Sequence, residues 1–177
     1  MSSPSFRKAL GLLVLLACAE DTSKYARGRG LEVAQLSATE RAKIYAASLG
    51  GAFDLEPGLS LLVDTTMLTR GGGEGAGGAL GADVRAALRG TGVTKGECEP
   101  KRRAPTRTPV CQADKPGYVV RFSDVFAMAG DSMQTHLLAD RYDTPATGEH
   151  NRFRIEQAYQ LVRHDGNWRV VRKARID

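Results

Sequence analysis

The chain has 177 residues, 42% of them hydrophobic, and a formal net charge of +5. That is the size of one ordinary domain with enough apolar residues for one core, which excludes a disordered chain. So mild a basic excess demands no nucleic-acid partner, and it suits contact with anionic lipid headgroups or acidic glycans.

Arg7 and Lys8 precede an apolar run from Ala9 to Ala17, the layout of a signal-peptide core. The run is shorter than the about 20 apolar residues that span a bilayer, and it lacks the polar face and capping residue of a buried N-terminal helix. It ends in Leu15-Leu16-Ala17-Cys18, which resembles the lipobox of bacterial lipoproteins, although Leu16 is larger than the residue usual there. The resemblance implies a signal peptide over 1–17, an acylated Cys18 and attachment to the membrane surface of the cell envelope. Ala17-Cys18-Ala19 also fits the small-x-small pattern of the general signal peptidase, and cleavage after Ala19 would leave a secreted or periplasmic soluble protein. Cleavage before Cys18 removes two cations and no acid, so the mature charge falls to +3.

Residues 18–35 are polar and carry Gly28 and Gly30, as a lipid-anchored linker would, and 36–177 read as a single α+β domain. Ser37 with Glu40 forms a capping box, Leu36 is placed as a hydrophobic staple, and a helix follows to about Leu49, ended by Gly50-Gly51. Its apolar positions Ile44, Ala47 and Leu49 make a loose stripe suited to the outside of a sheet. Leu59 to Val63, bounded by Pro57-Gly58 and Asp64-Thr65-Thr66, is a short first strand. A glycine-dense loop over Gly71 to Gly78 and a short helix from about Gly81 to Leu88 come next.

Cys98 and Cys111 lie in a loop rich in Pro, Lys and Arg, with twelve residues between them. Once Cys18 is set aside they form an even pair, and a disulfide would stabilise the fold by about 3 kcal/mol on the chain-entropy model. A metal site has no supporting histidine or third cysteine nearby, and no metal or cofactor is expected.

Tyr118 to Phe126, Gln134 to Tyr142, Arg152 to Arg163 and Trp168 to Ile176 read as strands of an antiparallel meander. The predicted fold is therefore about four meander strands plus the short fifth, with one or two helices packed on one face. Asp165-Gly166 favours a two-residue type I′ turn, which sets the last register. Counting from it places Leu161 opposite Val170, Tyr159 opposite Arg172 and Ile155 opposite Ile176 on the core side. Val162 then faces Arg169, Ala158 faces Lys173 and Glu156 faces Arg175 outside. Arg152, Arg154, Arg169 and Lys173 share that outer face, either as a docking surface for an anionic partner or as a solvated sheet face. On the core side, Gln157, Tyr159 and Arg172 are the candidate lining of a polar pocket, since a buried amide needs partners.

No catalytic residue is assigned. Gly73-Glu74-Gly75-Ala76-Gly77-Gly78 has the letters of a dinucleotide fingerprint without the strand-end placement the phosphate needs. His136, His150 and His164 are scattered, and no Gly-x-Ser-x-Gly elbow occurs. The strand from Phe153 to Arg163, Asp165-Gly166 and Trp168-Arg169-Val170-Val171 resemble the closing hairpin of NTF2-like domains. That resemblance implies a cone-shaped α+β fold whose cavity could serve a small hydrolase or isomerase. The first half departs from it by placing a strand and a cysteine loop where long helices should be. The expected function is a non-catalytic envelope module, held to the membrane by its lipid, that binds an envelope protein or small ligand. A small enzyme with a pocket in the sheet and a purely structural envelope component are the alternatives.

Overall fold

A computed structural model describes residues 31–52, 60–68, 76–98, 117–142 and 154–176. These form a mixed α+β fold with two helices and ten strands among the described residues. In chain order they are β1 (Glu32–Val33), α1 (Ala38–Ala52), β2 (Ser60–Asp64), β3 (Thr66–Leu68), β4 (Ala76–Ala79) and α2 (Ala82–Gly90). Then come β5 (Gly96–Cys98), β6 (Gly117–Phe122), β7 (Phe126–Ala127), β8 (Ser132–Tyr142), β9 (Arg154–His164) and β10 (Asn167–Arg175).

The antiparallel meander is present as β6, β8, β9 and β10, each paired with the next. The sheet is larger than predicted, because β2 joins it parallel to β6 on one side and to β5 on the other. Parallel neighbours need a crossover of a dozen or more residues, and the segment carrying β3, β4 and α2 supplies it between β2 and β5. Part of the predicted glycine loop is strand: β4 pairs antiparallel with β3 as a separate two-stranded sheet. The predicted linker also ends too late, since β1 pairs with β7 and Ala34 is buried in the core.

Helix α1 begins where its cap predicts, with the Glu40 N–H donating to Ser37 Oγ at 3.2 Å. Only half of the capping box forms. The Glu40 carboxylate instead accepts from Trp168 Nε1 (2.9 Å) and pairs with Lys43 Nζ (3.0 Å), so it ties the first turn of the helix to the last hairpin. The buried face of α1 is Ala42, Ile44, Tyr45, Ser48 and Leu49, broader than the predicted stripe. Tyr45 stacks on Phe122 of β6 with ring centroids 4.2 Å apart, and its hydroxyl donates to the Ser123 carbonyl at 2.8 Å. Leu61, Val63, Val120, Leu137, Tyr159 and Leu161 complete the core beneath the helices, each large side chain contributing about 1.5–3 kcal/mol. Gly51 does not stop the helix, which runs through Ala52; a Cβ there would meet Val170 Cγ2 at 2.8 Å.

The Glu40 contacts make a pH prediction. Its hydrogen bonds from Trp168, then Lys43, hold its carboxyl below the ordinary value of 4.5. Stability from this group is therefore complete above about pH 4.5 and lost as pH falls through the lower folded value. Thermal melts of wild type and Glu40→Gln should differ at pH 6 and converge at the acid end. A gap that persists unchanged to pH 3 would show that the charge is irrelevant.

Candidate functional site

The predicted pocket residues separate. Alternation along β9 points Gln157, Tyr159 and Leu161 to the helix side, and Tyr159 is fully buried, its hydroxyl donating to Gln157 Oε1. Burial pushes the Tyr159 phenol far above its ordinary range, so it stays a neutral donor. Arg172 is not with them. The pairing of β10 with β9 follows the counted register only from Asn167 to Val170 and then shifts by one at a bulge, which sets Arg172 opposite Gln160 and Lys173 opposite Tyr159. Arg172 is exposed on the far side of the strand, away from Tyr159, and the amide oxygen of Gln157 accepts from the Tyr159 hydroxyl.

The same bulge rearranges the predicted basic strip. Arg152 lies outside the described residues, and Arg154 opens β9 with its backbone paired to Asp140. Arg169 is exposed opposite Val162 as predicted, whereas Lys173 has moved to the other face and Arg172 now shares the side of Arg169. The predicted pairing of Glu156 with Arg175 is likewise displaced, since Arg175 lies opposite Gln157 and the Ile176 N–H donates to the Glu156 carbonyl at 3.0 Å. The edge strand therefore carries Arg169 and Arg172 on one face and Lys173 on the other, all exposed and without an ion pair among the described residues. Between them is Val171, 56% exposed, the one large hydrophobic side chain so exposed among the described residues. Arg163, nearby on β9, lies 3.8 Å from Glu40.

The buried charges satisfy one another. Asp64, at the end of β2, accepts from Arg121 Nε at 3.0 Å and from Arg121 Nη2 through Oδ2, while Oδ1 takes the Thr66 N–H (2.8 Å) and hydroxyl (2.7 Å). Both side chains lie away from α1, with side-chain exposures of 13% for Arg121 and 4% for Asp64. That face also carries His136, 2% exposed, which accepts from the Gln134 amide at 3.0 Å and lies 5.8 Å from the Phe126 ring. Sequence reading missed the Asp64–Arg121 pair; its signal was an arginine in the middle of the apolar run Tyr118-Val119-Val120-Arg121-Phe122, which needs a buried acid.

Around the glycine motif the strand context is closer to a nucleotide fold than predicted, because β5 does run parallel to β2 beyond α2. The chemistry opposes a phosphate all the same: the Asp83 carboxylate occupies the first turn of α2 and accepts from the Val84 N–H at 2.9 Å. Glu97 on β5 faces Arg85 (3.5 Å) and Arg89 (3.2 Å) of α2. Among the described residues no three His, Cys, Asp or Glu side chains gather as a metal site needs. Cys98 ends β5 buried and is not without a partner, while Cys18 and Cys111 lie outside the described residues.

Compared with known proteins, the chain matches no family model, no curated protein and no solved structure. No helix among the described residues is long and apolar enough to cross a membrane.

Proposed function

We propose that the chain is an envelope lipoprotein, anchored through acylated Cys18, whose folded body is a non-catalytic binding module. The observation carrying the second part is where the polar groups are spent. Inside, Tyr159 and Gln157 answer each other and Asp64 answers Arg121, while Tyr45 and Phe122 fill the space above the sheet. Arg169, Arg172 and Lys173, by contrast, are exposed on the outside and free to meet another molecule. An enzyme of the NTF2-like kind would have to open the Tyr159–Gln157 contact before using it.

The anchor rests on Arg7, Lys8, the apolar run and Leu15-Leu16-Ala17-Cys18. The intact mass of the mature protein from an envelope fraction tests it, with and without reduction and beside Cys18→Ala. The expected result is a chain beginning at acylated Cys18 that gains about two daltons on reduction, from a Cys98–Cys111 bridge. A chain beginning at Glu20 without lipid sinks the anchor, and retention of residues 1–17 sinks export.

A further inference from the structure

We propose that the outer edge of β10, built from Arg169, Val171, Arg172 and Lys173, docks on an anionic phospholipid surface. The inference rests on the anchored reading above and names the partner of its exposed face. From Asn167 to Ala174 the chain holds three cations and no acid, so this stretch of the edge presents a single sign of charge to whatever approaches it. Val171 stands exposed among these cations, the combination of basic and apolar side chains that gains at the boundary between headgroups and acyl chains.

The bulge decides between a membrane and an acidic peptide added as a further strand. The Ile176 N–H bond to the Glu156 carbonyl fixes the alternation so that Lys173 and Arg175 turn their backbone groups outward. Across Val171 the pairing is out of step by one residue, so a straight incoming strand can pair with one half of the edge and not the other. Side chains remain available all along it, and a lipid surface needs only those.

The tether's geometry agrees. Val33, Phe126, Gln134, Gln160 and Arg172 are successive register partners, so the first described strand and the bulge share one transverse row of the sheet. Four strand spacings along that row amount to about 19 Å. Twelve residues lie between Cys18 and Leu31, and the thirteen residue steps from one to the other can extend up to about 45 Å. An anchor at Cys18 therefore leaves this edge free to reach the same bilayer.

The test uses the mature chain, whichever N-terminus its mass defines, with vesicles of phosphatidylcholine alone or with about a third phosphatidylglycerol. Each surface cation is worth about a fivefold gain, so partition should favour the anionic vesicles on the order of a hundredfold at low salt. The Arg169→Gln/Arg172→Gln/Lys173→Gln variant should lose that preference, and Lys43→Gln/Arg89→Gln/Lys95→Gln, with the same net charge, should keep it. Lys173 should become shielded from an amine reagent on anionic vesicles while Lys95 stays reactive. Equal loss in both triple variants, or Lys173 equally reactive on the two vesicle types, overturns docking even where the mass confirms the anchor. An unacylated chain that keeps the headgroup preference retains docking and sinks the anchor alone. Preference for soluble polyglutamate over anionic vesicles would assign the edge to an acidic protein instead.

Discussion

Replacing Arg121 with methionine is expected to cost about 3–5 kcal/mol, because it leaves the Asp64 carboxylate buried without its counter-charge. Against a domain stability of roughly 5–15 kcal/mol this is a large share, and it is read as a drop in the urea midpoint. The second member of the series is Asp64→Asn/Arg121→Met. Asparagine keeps a carbonyl oxygen for the Thr66 N–H and hydroxyl, so the corner between β2 and β3 survives while both charges go. The double variant should recover at least half of the loss. A single-variant cost under about 1 kcal/mol would mean that water reaches the pair and that the ordinary surface value applies.

Gly117→Ala should be nearly as damaging, at about 3 kcal/mol, the upper end of what overpacking does. A Cβ at Gly117 would stand 2.2 Å from the Ser60 carbonyl oxygen, a backbone atom that cannot rotate aside. Gly117 and Ser60 open the parallel pairing of β6 with β2, so relief of the clash must part the two strands where they begin. Gly50→Ala, where nothing lies within 4 Å of the added carbon, is the control. Since Gly50 is within α1, that change should be neutral or stabilise by a few tenths of a kcal/mol to about 1 kcal/mol. Equal melting temperatures for the two variants would contradict this account of the strand start.

Much of the fold was legible from local chemistry. Ser37 placed the start of α1, the apolar run after Pro57-Gly58 placed β2, and Asp165-Gly166 placed the final turn, where Asp165 and Gly166 both adopt positive φ. What escaped depended on distant neighbours. Strand β5 is three residues, Gly96–Cys98, with no alternation of its own, and it exists because β2 offers an edge. Strand β4 is Ala-Gly-Gly-Ala, whose propensity argues against a strand and whose pairing with β3 overrides it.

The pocket failed for a similar reason. Counting residues from a turn assumes an unbroken ladder. Here Trp168 is held by Glu40 and Val170 seats against Gly51, both on α1, while Ile176 is held by Glu156 on β9. One residue more than the straight ladder needs lies between those fixed points, and Val171 is the surplus. Nothing within the hairpin announces it. The edge cations were half legible: the residues were visible in the sequence, and their division between the two faces followed only from the bulge.

The placement of β2 also governs how the chain must acquire its structure. Its two partners begin at Gly96 and Gly117, and β1 waits for β7 at Phe126. Made from its N-terminus, the chain therefore carries Ser60-Leu61-Leu62-Val63 as an unpaired β-prone segment until dozens of further residues have emerged. High contact order of this kind slows folding and lengthens exposure to aggregation. A slow folder is well suited to crossing a membrane as an unfolded thread, and refolding from urea should run in the milliseconds-to-seconds range rather than microseconds.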